Sequence, residues 1–271
     1  MVISMNLYGY ILVVKIMYTV LVLSWFSYYD IKYRDIPDRY VWLSLIVSII
    51  LFIASIPFYL GRFGYQLLIG YTVLSILLST GFFAMLYFMG FIGLADVFVV
   101  SEIALLFPLI DVYDIIYYKI EFPFHLPPVL PIILYSTISS LIIMLFKSLF
   151  ISIKHYDKLP QDIPLSKKIA LMFMARPMTI RDFLSTKYYY PLTIFKIEDN
   201  VLKRITRLTF DVEEEEYWEY QEEFRKLVEE GLLSPDEYVW VTYGVPYMVP
   251  LLIGFILFLI LGDTPFFELF S

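Results

Sequence analysis

Residues 91–100 read FIGLADVFVV, and Asp96 is the one charged side chain among them. An ionisable group at membrane depth is costly unless it is paired, hydrated or neutralised, so it is a functional candidate by default. A second carboxylate, Asp30, lies in SYYDIKYRDIPD (27–38). Asp35 and Asp38 in that stretch are flanked by Arg34 and Arg39 and suit solvated or capping roles better. If membrane helices bring Asp30 and Asp96 together, like-charge repulsion makes the pair hold one shared proton. Such a pair can hydrolyse: the ionised member takes a proton from water while the protonated one hydrogen-bonds the scissile carbonyl. Gly93 fits this chemistry because a residue without a side chain admits an extended chain beside the acid. Asp96 taken alone reads equally well as a helix N-cap, with Gly93 making the turn before it.

The rest of the composition narrows the choices. Of 271 residues, 60% are hydrophobic and 19% aromatic, and mean hydropathy is +0.74. A soluble domain is nearer half apolar, so the excess points to a membrane protein. There is no cysteine, which removes disulfides, thiol nucleophiles and cysteine metal sites. His125 and His155 are the two histidines, too few for a histidine metal cluster, and no metal site is expected. Residues 151–242 carry 17 Asp+Glu and 13 Lys+Arg, with no basic cluster of the kind a nucleic acid requires.

A helix needs about 20 apolar residues to cross the hydrocarbon core. Residues 7–27, 41–60, 66–90, 97–110, 129–150 and 244–262 supply six spans, the fourth short and ending near Pro108. The first lacks the basic n-region and cleavage site of a secretory signal. Lys32, Arg34 and Arg39 in one loop, and Lys147, Lys154, Lys158, Lys167 and Lys168 after the fifth span, outweigh Arg62 and Lys119 opposite. Positive charge marks the cytoplasmic side, so the 28–40 loop, the 89–96 turn and the 151–242 insertion are expected there and both termini outside. The expected fold is an all-α polytopic membrane protein of six transmembrane helices, with a cytoplasmic α or α+β insertion between helices five and six. Its parts are 1–150 with both aspartates, 151–242, and 243–271 with the last helix. Tyr28, Tyr29, Tyr33, Tyr40 and Trp42 form an interfacial aromatic belt.

In the insertion, DVEEEEYWEYQEEFRKLVEEG spaces Tyr217, Tyr220, Phe224, Leu227 and Val228 as a helical stripe. Asp211 is placed to cap it, with Glu214 three residues on, and Gly231 to end it. SPDE from Ser234 reads as the opening of another helix, with Pro235 in its first position. The Glu213–Glu216 run is a solvated helix face favoured near the N-terminal dipole, rather than a metal site. The acidic excess of the insertion can attract a basic peptide by long-range electrostatics.

Asp30 with IKYRDIPD, then GLAD ending in Asp96 at the mouth of a membrane helix, resembles the archaeal preflagellin and type IV prepilin peptidases. These are intramembrane aspartic proteases with a Gly-x-Gly-Asp type signature. The resemblance continues through ARPMTIRDF and through VWVTYGVPYMVPLLIGFILFLILGD, where Pro246 and Pro250 open the last span. It implies Asp30 and Asp96 as the catalytic pair, Gly93 as the motif glycine, and cleavage of the basic leader of pilin- or archaellin-like precursors at the cytoplasmic face of the cell membrane. Ala95 replaces the third motif residue, and Val97-Phe98 replaces the Gly-Lys common after the aspartate. Bacterial relatives often add N-methylation and a cysteine-rich zinc segment; with no cysteine, cleavage without methylation is expected. The dyad supplies acid and base, so no cofactor is required.

Other residues carry plainer readings. Glu102, six residues on from Asp96, points to a different helix face and suits pairing with Lys15. Arg34 can orient Asp30 or snorkel to lipid phosphates. His125 falls in an outer loop and His155 beyond span five. The alternative function is a small ion or proton transporter using Asp96, Glu102 and Lys15; a non-catalytic scaffold would leave Asp96 unexplained.

Overall fold

The computed structural model describes residues 7–116, 125–161, 163–198, 201–211, 215–244 and 246–268. Lys119, Glu213 and Glu214, used above, lie outside them. The chain forms two compact units, residues 1–139 with 246–271, and residues 140–245.

The first unit is helical. Helix α1 spans Leu7–Tyr33 and α2 spans Asp38–Phe88. Helix α3 spans Leu94–Leu106, and α4, Val129–Lys154, begins in this unit and ends in the other. Among the described residues three helices, α1, α2 and α4, are long and apolar enough to cross a membrane. The residues expected to form spans two and three are one helix of 51 residues, interrupted at Gly64 where φ is 77°. A loop was expected over 61–65; a single glycine makes the break instead, because it adopts positive φ without steric penalty. Helix α1 likewise runs past residue 27, so Asp30 lies in its final turn rather than in a loop. Arg34, at φ 58°, ends that turn and donates its N–H to the Asp30 carbonyl at 3.2 Å.

In the second unit, α5 (Leu165–Met174) leads to β1 (Arg176–Thr179) and the short α6 (Ile180–Phe183). Strands β2 (Tyr189–Pro191), β3 (Thr193–Glu198) and β4 (Val201–Thr206) precede α7 (Tyr217–Glu229) and β5 (Tyr238–Tyr243). Three strands form an antiparallel sheet in the order β1-β5-β2, and β3 pairs with β4 as a hairpin. Central β5 is buried on both faces. Val239 and Val241 pack with Phe183 and Phe224 on one side, and Trp240 packs with Leu159 and Leu171 on the other, the two-residue alternation of a strand. This is why SPDE does not open a helix as expected. Three residues after Pro235 the β-branched and aromatic run YVWVTY enters the sheet, and Ser234–Glu237 close a turn, the Glu237 N–H donating to the Ser234 carbonyl at 3.0 Å.

Helix α7 starts at Tyr217 with Glu216 at its N-cap, later than Asp211 would set it, and Gly231 at φ 71° follows its end as expected. Glu215 binds inward rather than lining a solvated face. Arg207 grips its carboxylate at 2.8 and 2.6 Å, the Tyr220 hydroxyl donates at 2.6 Å and the Asp211 N–H at 3.0 Å. Partial burial opposes ionisation, but these donors outweigh it and hold the Glu215 carboxyl below its ordinary range.

The chain returns to the first unit at α8 (Met248–Leu261), followed by α9 (Thr264–Glu268). The last span, expected over 244–262, follows β5 and is helical from Met248, and Pro250 sits in the first turn of α8, where a missing N–H costs nothing. Helix α8 lies so close to α4 that a Cβ on Gly254 would meet Ser136 Oγ at 2.2 Å and the Ile132 carbonyl oxygen at 2.7 Å.

Candidate functional site

Each aspartate carboxylate accepts from an amide at a helix N-terminus, where unpaired N–H groups and the helix dipole favour negative charge. Asp96 is the third residue of α3 and accepts the Gly93 N–H at 3.1 Å, a capping contact within its own helix. Gly93, not Asp96, is therefore the N-cap. It has φ −79°, open to any residue, and the turn is made upstream by Gly90 at φ 73°. Ala95 is half-buried in the same first turn.

Asp30 caps a helix distant in sequence. Its Oδ2 accepts the N–H of Met248, the first residue of α8, at 3.1 Å. The preceding residue, Tyr247, carries a phenol close enough to Asp96 to lie in its electrostatic field. The Tyr247–Met248 dipeptide is therefore linked to both carboxylates, to Asp30 by a backbone hydrogen bond and to Asp96 by charge. The Tyr247 hydroxyl is buried and makes no hydrogen bond of acceptable geometry among the described residues. Ser136 stands near it, with its own hydroxyl donated to the Ile132 carbonyl at 2.7 Å. The sequence reading missed Tyr247; YGVPYMVP signals proline-punctuated helix entry, and nothing in it says that this ring is buried within reach of the Asp96 charge.

Arg34 is half-buried. Its Nε and Nη2 are shielded from solvent, and its charge acts on Asp30 four residues earlier. Asp35 and Asp38 are exposed. Around them Trp25, Tyr29, Tyr33 and Tyr40 associate, with Trp25 and Tyr40 centroids 5.0 Å apart.

The deeper ionisable groups have partners of their own. Glu102 accepts from Ser44 at 2.7 Å and Ser48 at 3.2 Å. Lys15 donates to the Tyr59 hydroxyl at 2.8 Å and the Leu106 carbonyl at 3.0 Å. The expected Lys15–Glu102 pair is thus replaced by serine hydroxyls on one side and a phenol on the other, since α2 supplies both sets between them. Asp111, which the sequence reading passed over, accepts from the Tyr8 hydroxyl. His125 stacks on Tyr113 with centroids 4.4 Å apart and meets the buried Asp263 carboxylate at 3.2 Å. Among the described residues no three His, Asp or Glu side chains cluster as metal ligands.

Residues 167–264 match the family model described as Archaeal Peptidase A24 C-terminus Type II. The match runs from α5 through the β1-β5-β2 sheet and α8, and so contains Tyr247 and Met248 but neither aspartate. Within it the ARPMTIRDF and VWVTY segments are antiparallel neighbours, Arg176 opposite Val241 and Thr179 opposite Tyr238. No curated protein matches the chain. The long apolar helices suggest a membrane protein, and the match supports a peptidase. Over residues 167–264 the chain is thus similar to the C-terminal part of the archaeal A24 peptidases, which supports a prepilin or preflagellin peptidase family.

Proposed function

We propose that this protein is a membrane aspartic endopeptidase that removes the basic leader of pilin- or archaellin-like precursors at the cytoplasmic membrane face. Asp30 and Asp96 form its catalytic pair. The observation that carries this reading is the Tyr247–Met248 junction, where the Met248 N–H donates to Asp30 at 3.1 Å and the buried Tyr247 phenol interacts electrostatically with Asp96. One carboxylate draws a proton from water as the oxygen adds to the scissile carbonyl, and the other, protonated, hydrogen-bonds that carbonyl. As the tetrahedral intermediate collapses, the proton taken from water passes to the leaving amine. The Tyr247 hydroxyl donates to the developing oxyanion. Arg34 orients Asp30, and Gly93 with Ala95 leaves room for the extended substrate beside Asp96. The six-span topology with outward termini and cleavage without methylation belong to the same proposal, as does the absence of any cofactor requirement.

The transporter alternative needs Glu102 and Lys15 as relay groups. Their hydrogen bonds to serines, a phenol and a carbonyl account for them as structural groups.

The test is cleavage of a pilin-type precursor in membranes by wild type, Asp30→Asn and Asp96→Asn, with Asp35→Asn and Asp38→Asn as controls. Asparagine keeps an oxygen able to cap each helix, so folding is largely spared. Loss of cleavage in the first two alone supports the dyad; normal cleavage by Asp96→Asn refutes it.

A further inference from the structure

The second unit carries an apolar stripe that its own core does not use. On α5, Leu165, Ile169 and Phe173 are 66%, 48% and 43% exposed. Their spacing of four puts them on one side of the helix, while Leu171 on the other side is fully buried beside Trp240. Water is an unfavourable neighbour for three large apolar side chains in a row.

Two observations say what covers them. First, α5 is fastened to the end of α4, one of the helices apolar enough to span a bilayer. Ser152, in the last turn of α4, donates to the carbonyl of Ala175, the residue that ends α5, at 2.6 Å. A spanning α4 leaves the hydrocarbon near Lys154, so this bond holds α5 within hydrogen-bonding distance of the place where the chain emerges. Second, charge in the insertion is divided. Residues 151–168 hold four lysines (Lys154, Lys158, Lys167, Lys168) against two aspartates, whereas 169–242 hold 15 acidic and 9 basic residues. Lys158 is paired with Asp157 at 3.0 Å, but Lys167 and Lys168 lie on α5 itself, so the apolar stripe shares its helix with basic residues, the combination that binds an anionic membrane surface.

We propose that α5 is an interfacial helix, lying on the anionic bilayer surface with Leu165, Ile169 and Phe173 inserted among the lipid headgroups and acyl chain ends. Lys168, on the flank of the stripe, sits at headgroup level, and Lys167 faces water. The helix is a second point of membrane attachment for the insertion, beside the covalent one at α4, and limits how far the unit can swing from the bilayer. This does not depend on the peptidase reading.

The chain has no cysteine, so single reporters can be placed without further changes. Full-length Ile169→Cys, Phe173→Cys and Lys167→Cys are labelled with an environment-sensitive fluorophore and reconstituted in phosphatidylcholine vesicles with or without phosphatidylglycerol. At 169 and 173 the label should be quenched by doxyl lipids and protected from aqueous iodide; at 167 the order should reverse. Lys168→Gln should lower the docked-to-free ratio roughly fivefold. Iodide quenching at 169 and 173 equal to that at 167 would mean a solvent-facing stripe, and protection from both quenchers would mean a protein covers it; either overturns the proposal. Equal lipid quenching with and without phosphatidylglycerol overturns the anionic preference.

Discussion

Tyr247→Phe separates catalysis from stability at a single atom. The change deletes a buried hydroxyl that makes no hydrogen bond of acceptable geometry among the described residues, and leaves the ring contact with Phe83, centroids 5.5 Å apart, in place. Leaving a polar group buried and unmade costs about 1–3 kcal/mol. Replacing it by a hydrogen of similar shape should therefore hold stability constant or raise it by part of that amount. Losing one donor to an oxyanion lowers kcat by roughly 10²–10³, or about 2.7–4 kcal/mol of transition-state stabilisation. The two effects have opposite signs, and a purely structural tyrosine would not show them together. The assay is single-turnover and steady-state cleavage of a precursor in proteoliposomes, with KM and kcat resolved, alongside thermal unfolding in detergent. The expected result is a large fall in kcat, little change in KM and a melting temperature no lower than wild type. Wild-type kcat would refute the role given to Tyr247 while leaving the aspartate pair standing. A parallel loss of kcat and stability would make the residue structural.

Further outcomes follow from the same geometry. Glu102→Gln keeps an acceptor for one of its two serines and should leave precursor cleavage within about twofold of wild type, since it is a structural group; a hundredfold loss with unchanged folding would place Glu102 in the cleavage machinery instead. Gly254→Ala drives a methyl group into Ser136 and the Ile132 carbonyl. It should destabilise by about 3 kcal/mol or more and deplete folded protein from membranes, measured by detergent-resistant yield. Glu215 has a depressed folded-state pKa, so its stabilising contribution is present above the ordinary glutamate value of 4.5 and is lost as pH falls through the lower folded value. Glu215→Gln should lower thermal stability at neutral pH by about 1–2 kcal/mol and narrow the gap to wild type under acid, followed by unfolding scans across that range.

The sequence by itself determined the kind of molecule and its candidate acids. Long apolar runs can only be helices in lipid, because every backbone amide must find its partner within the segment. An aspartate among nine uncharged residues declares itself by the cost of burying charge. The helical period around Phe224 and Leu227 showed α7, and Gly231 its end, since these signals are local. Three decisions belonged to tertiary structure. GRFG suits a loop over 61–65 or a one-residue break equally well, and the structure makes the break at Gly64 alone. YVWVTY became a strand because β1 and β2 flank it and bury both its faces; its apolar run alone fits the start of a membrane helix equally well. The partners of the buried charges were also out of reach. Asp30 meets Met248, 218 residues away, and Lys15 and Glu102 satisfy themselves on α2 rather than on each other. Hydrogen bonds over such separations are set by which helices touch and at what height, information that no local pattern holds.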